Sequence, residues 1–174
     1  MPKDQAAHER ELARAVAEIV ALQAKAGIDI VNDGEFGKSG WANYALERMT
    51  CFAVLGDIVD LVLQVRAGAY SIEAANVRHE YEWRVWQTVK LPPDKILIPG
   101  VVTHHTTTVE HPRLVTDRIV NFARLVGRES LIAGTDCGFA QGETIQRVHP
   151  QVMWAKLESL AEGARIASRE LWGG

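Results

Sequence analysis

Asp136 and Cys137 stand where a short apolar run gives out, in "SLIAGTDCGFAQG", Ser130 to Gly142. Polar groups follow three other short apolar runs in the same way. After "IDIV" (Ile28 to Val31) come Asn32, Asp33 and Glu35. The run "AYSIE" (Ala69 to Glu73) ends in Glu73, with Asn76 and His79 just beyond. After "KILIPGVV" come Thr103, His104 and His105. If the four runs are parallel strands, all four sets lie at one sheet edge, just past the carboxyl ends where α/β folds place their reactive groups. Carboxylates, imidazoles and a thiol would then converge. Such a donor set suits borderline-soft zinc.

Each residue also has a plainer reading. A single carboxylate after a strand, such as Asp33, commonly caps a helix or turns the chain. A lone cysteine near a strand commonly packs as a small hydrophobe. His111 and His149 each precede a proline, an arrangement that serves a helix start, and His8 reads as solvated. Independent capping does not account for a cysteine and two adjacent histidines at the same edge.

The elements that must position these groups follow from hydrophobic spacing. Leu12, Val16, Ile19 and Val20 share a helix face, and Gly27 stops that helix. Ile58, Leu61, Val62 and Val65 mark a second helix, ended by Gly68. Tyr81, Val85 and Val89 suggest a third, ended by Pro92 and Pro93. Val115, Ile119, Phe122 and Val126 mark a fourth, begun near Pro112 and stopped by Gly127. Met153, Leu157, Leu160, Ala164 and Leu171 mark a long last helix that starts near Pro150. Helices alternating with short apolar runs imply about four parallel strands covered by helices, an α/β fold. The segment Asn32 to Gly56 is too long for a simple loop, and "WANYALERM" within it could form a helix.

The chain has 174 residues and a formal net charge of -3, and residues 1–174 read as a single domain with a sizeable core. The small net charge, with no lysine or arginine cluster, argues against nucleic acid or an acidic membrane surface as partner. No apolar run approaches the roughly 18 residues of a membrane span. Two cysteines make no disulfide framework, and a cytoplasmic setting is expected. There is no phosphate-binding glycine loop, no G-x-S-x-G elbow and no C-x-x-C pair.

The segments "GIDIVNDGEFGKSGWANYALERM", "YSIEAANVRHEYEW", "ILIPGVV" and "IAGTDCGFAQ…VHPQVMWAKLESLAEGARIAS" together resemble the cobalamin-independent methionine synthase family. They look closest to its bacterial single-barrel relatives, among them the epoxyalkane:coenzyme M transferases. The resemblance implies a (β/α)8 barrel with zinc at its mouth, where the metal binds a thiol as thiolate for attack on a methyl or alkyl carbon. It implies that Cys137 and Glu73 are metal ligands and that Glu35 holds a substrate ammonium. His105 falls near the histidine proposed to protonate the leaving group, and His104 competes for that position. Asp136 joins His105 as a catalytic candidate. Asp33 and His104 join Glu35 as substrate-binding candidates.

The departures are equally specific. The family's other two zinc ligands lie in a His-x-Cys motif, and no His-x-Cys occurs here. "ALERMT" passes through "CFAVLG" directly to "DIVDLVLQVRAG", where the family has a long segment with several strands. A full barrel takes about 250 residues in typical cases. The expectation is therefore a partial barrel of about four strands with a large internal deletion. Its open edges and barrel-facing apolar surface point to a homo-oligomer. A catalytic zinc usually takes three protein ligands, so His104, His105, His79 or a partner subunit would supply the third.

Three functions follow. The leading one is a zinc-dependent methyl or alkyl transferase acting on a small-molecule thiol, of the methionine synthase type. The second is a metal-dependent hydrolase of small esters or lactones, its metal-bound water made acidic. The third is a degenerate barrel fragment that serves in binding or assembly without catalysis.

Overall fold

The computed structural model describes residues 5–31, 54–139 and 148–173. The chain divides into two compact units, Met1–Thr50 and Cys51–Gly174. In the first, α1 spans Gln5–Lys25. It ends as its spacing predicts: Gly27 takes a φ of 86°, a backbone that side chains disfavour. The expected strand Ile28 to Val31 does not form. Those residues leave the helix in turn and bend backbone, and Ile30 is exposed. A short, largely apolar run makes a strand only where a neighbouring ladder takes up its backbone groups.

The second unit begins with α2, Leu55–Gln64, which buries Leu55 and Val59. Next come β1 (Ala69–Ile72), a 3-10 helix (Glu82–Gln87), β2 (Ile96–Val102) and α3 (Pro112–Val126). A short 3-10 turn (Arg128–Ser130), β3 (Gly134–Thr135) and α4 (Pro150–Trp172) complete it. The fold is a partial α/β barrel, with three parallel strands in the order β1-β2-β3 among the described residues. Ala69 pairs with Ile96 and Ile72 with Pro99. Leu131 bridges Leu97 before β3 pairs Gly134 with Gly100. Pro99, which has no N–H to give, sits between those two pairings, where the β2–β3 ladder is interrupted.

The central strand is the core. Leu97, Val101 and Val102 of β2 are fully buried, as expected for a parallel strand covered on both faces. Leu55, Val59, Tyr70, Trp86, Leu97 and Phe122 pack into one cluster. The third expected helix is instead the six-residue 3-10 helix. Its three residues per turn set Trp83 and Trp86 on one face, while His79, in the turn just before it, bonds to Glu82, its first residue.

α3 keeps its predicted bounds, and α4 its predicted start near Pro150, because these ends are written in the sequence. The Nδ1 atoms of His111 and His149 accept the backbone N–H groups of Arg113 (3.1 Å) and Gln151 (3.2 Å). A proline follows each histidine at the first helical position, where its missing N–H costs nothing. Gly127 (φ 93°) and Gly173 (φ 70°) close the two helices. The helices meet at Gly163, where Thr116 Oγ1 donates to the Gly163 carbonyl at 3.1 Å. Among the described residues, no helix is long and apolar enough to cross a membrane.

Candidate functional site

Because the three strands run parallel, their carboxyl ends share one edge. Asp136 ties that edge together. Its Oδ1 accepts the backbone N–H groups of Ala74 and Ala75, both at 2.8 Å, and its Oδ2 accepts Asn76 Nδ2 at 3.1 Å. Its own N–H donates to the Val102 carbonyl at 3.0 Å. One buried carboxylate thus joins the ends of β1, β2 and β3, and its donors offset the loss of water.

Asn76 extends the network. Its Nδ2 also donates to Glu73 Oε2 at 2.9 Å, and its Oδ1 accepts the Arg78 N–H at 3.0 Å. His79 lies between two carboxylates. Its Nδ1 is 3.0 Å from Glu82 Oε2 and its Nε2 is 3.7 Å from Glu73 Oε2. A carboxylate only accepts, so Nδ1 carries the proton toward Glu82. The longer contact is an ion pair only when the ring is charged. Glu82 is buried, and its Oε1 accepts the Leu55 N–H at 3.0 Å. That places a negative charge at the N-terminus of α2, where the helix dipole favours it.

After β2, His104 is buried and His105 is exposed. His105 Nδ1 and His104 Nε2 are 3.1 Å apart, with the rings edge to face at 69°. One ring must donate and the other accept, so both cannot be imidazolium while this bond lasts. The loop that carries them is anchored below. The Thr103 N–H donates to Glu110 Oε1 at 2.8 Å, and Lys156 Nζ meets Glu110 Oε2 at 2.8 Å with the lysine fully buried. Lys156 also donates to the Thr108 carbonyl, and Ser159 Oγ to the Glu110 carbonyl. The His105 N–H closes a turn on Thr103 Oγ1 at 3.1 Å.

The structure therefore brings Glu73 and Asp136 into one network through Asn76. Cys137, an exposed thiol, follows Asp136 directly. His104 and His105 form a pair on the neighbouring loop. Asp33 and Glu35 lie outside the described residues. Among the described residues, no group of three or more His, Cys, Asp or Glu side chains is gathered to hold a metal. His79, His104 and His105, the expected sources of a third ligand, are turned to other work: His79 bonds to Glu82, and the other two bond to each other.

Glu82, Gly100 and the Glu110–Lys156 pair were not foreseen. Lys156 did leave a signal. It lies three residues after Met153 and four before Leu160, inside the apolar stripe of α4, where a lysine needs a buried partner.

A scan against models of protein families and a comparison with curated protein sequences each found no match. Among solved structures, the chain is similar to a B12-independent methionine synthase from a Shewanella species, in complex with selenomethionine. The TM-score is 0.54 and the identity 20%, over 81% of this chain and 35% of that one. The chain thus spans about a third of the length of that structure, and at this identity the likeness concerns the fold.

Proposed function

We propose that this chain transfers a methyl or alkyl group to a small-molecule thiol, the reaction implied by its resemblance to the cobalamin-independent methionine synthases. The observation that carries the reading is the tie from Asp136 to Ala74 and Ala75. It fastens "SIEAAN" to "TDCGF", with Glu73 immediately before it and Cys137 immediately after it. Two of the segments that carry the resemblance thus meet at one sheet edge. The similar fold of a B12-independent methionine synthase supports the same reading.

Zinc is the cofactor this reading implies, and when bound it would hold the thiol as the thiolate nucleophile. Cys137 and Glu73 are two suitable donors. A catalytic zinc site takes three, so the described residues do not by themselves make one. The chain's own contribution is acid–base and positional. His105 is exposed, and its Nδ1 is engaged by His104, which sets the ring at the sheet edge as the candidate general acid. Asp136 and Asn76 fix the backbone that presents Glu73.

The test is methyl transfer from a methylated folate to homocysteine, followed as methionine. The expected result is turnover by the natural chain and none by Cys137→Ala. Full activity in that variant, or no turnover with zinc supplied, would reject the reading. A non-catalytic binding fragment draws on the same missing third ligand. Zinc titration of the intact chain separates the two, since only the transferase requires uptake. We also propose a homo-oligomeric working unit, because among the described residues β1 and β3 each pair on one side only. A monomer by light scattering at micromolar concentration would count against it.

A further inference from the structure

Between the loops that follow β1 and β2 lies an open pocket of about 190 Å³. Asn76, Val77, Arg78, Thr103, His105 and Thr106 line it, with Ala75 at its base. At about 30 Å³ per water, the space holds roughly six waters, enough for an amino-acid-sized molecule. Much of its wall is apolar, and its lining residues include one fixed cation, Arg78, and no carboxylate, in a chain whose net charge is -3.

Asn76, which lines the pocket, also binds two carboxylates: its Nδ2 engages both Glu73 and Asp136. The Asn76 carbonyl oxygen takes the Arg78 N–H, which fixes the start of the arginine's own backbone. Among the described residues the Arg78 side chain has no ion-pair partner.

We infer that this pocket binds the carboxylate group of a small organic acid, with Arg78 as its principal contact and the Thr106 hydroxyl as a supporting donor. A guanidinium presents a planar fork that matches a carboxylate with two parallel N–H bonds. The same fork also suits phosphate, but phosphate sites commonly add a glycine-rich backbone nest or a helix N-terminus, and no glycine lines this pocket. The inference rests on the transfer reading in one respect: the acid bound here is the substrate's own carboxylate, seated beside His105. Nothing in the earlier site residues assigns Arg78.

Succinate and inorganic phosphate, titrated separately into the intact chain by calorimetry, test it without turnover. The expected result is saturable succinate binding, weakened about tenfold in Arg78→Gln and partly restored in Arg78→Lys. Arg84→Gln, a surface arginine stacked over Trp83 outside the pocket, should leave binding unchanged. Equal succinate affinity in Arg78→Gln, tighter binding of phosphate than of succinate, or no binding at all would each overturn the inference. The two proposals fail separately. Succinate binding that depends on Arg78, in a chain that transfers no methyl group, keeps the pocket and sinks the transferase. Methyl transfer with a KM for the thiol unchanged in Arg78→Gln does the reverse.

Discussion

Gly100 of β2 lies directly against Asp136. A Cβ added to Gly100 would stand 2.5 Å from Asp136 Cα, and closer still to its Oδ1. The backbone of Asp136 cannot retreat without breaking its N–H bond to Val102. Gly100→Ala should therefore lower stability by about 1–3 kcal/mol through overpacking. For a chain of this size that is a melting temperature lower by roughly 2–4 °C per kcal/mol. A thermal melt within 1 °C of the natural chain, on the order of a few tenths of a kcal/mol, would show that the strand end has room to give.

The carboxylate of Asp136 is the other half of that contact. Ala74 and Ala75 are buried, and Asp136→Ala would leave both their N–H groups without an acceptor. The cost is about 1–3 kcal/mol for each group. Asp136→Asn should be milder. Its carbonyl oxygen can still take both N–H groups, but its amide then faces Asn76 Nδ2, donor to donor. Urea unfolding should rank the natural chain above the asparagine variant and that above the alanine variant. Equal midpoints for the two variants would mean that the backbone bonds contribute little.

Helix ends were legible in the sequence because their chemistry is local. His-Pro at the starts of α3 and α4, and Gly127 at the end of α3, act through the neighbouring turn alone. β1 and β2 were also legible, as short strand-like runs after a helix. The interior of the site was not. Glu82 belongs to it through a turn at residues 77–81 that leads into a 3-10 helix, and three apolar residues spaced by four could not distinguish that from an α-helix. "IDIV" resembles the other runs in composition, yet a strand depends on a partner that its own residues do not specify.

Gly163 of α4 presses on α3. An added Cβ would lie 2.5 Å from Val115 Cγ1 and 2.9 Å from the Pro112 carbonyl. Alanine normally gains about 1 kcal/mol over glycine inside a helix. Here the collision with a β-branched side chain and a backbone oxygen outweighs that gain. Gly163→Ala should destabilise the fold, seen as a lower urea midpoint. A stabilised variant would show that the helices separate at little cost.

The Glu162–Arg165 pair lies on the exposed face of α4. The hydrogen bond from Arg165, more than its charge alone, holds the Glu162 carboxyl below its ordinary value of 4.5. A carboxyl depressed in the folded state stabilises it above the unfolded value and loses that contribution as pH falls through the folded one. Glu162→Gln should thus melt slightly below the natural chain at neutral pH, and the two curves should converge in strong acid. Added salt should shrink the neutral-pH difference, because the pair is solvent-exposed. A difference that grows as pH falls would contradict this sign.

Lys156 and Glu110 form a buried pair whose second carboxylate oxygen holds the Thr103 N–H, one residue before the histidine pair. Lys156→Met would leave the Glu110 charge buried without its cation, a loss of about 3–5 kcal/mol. The double variant Lys156→Met with Glu110→Gln removes the charge and keeps an oxygen for Thr103. It should therefore be more stable than Lys156→Met alone, with a coupling between the two sites of about 1–3 kcal/mol. Because Thr103 Oγ1 in turn accepts the His105 N–H, the single variant should also disturb the His104–His105 bond. Nitrogen chemical shifts of the two rings report that bond directly. Strict additivity of the two substitutions, with unchanged ring shifts in Lys156→Met, would mean that the buried pair serves the packing of α4 and plays no part in setting the histidines.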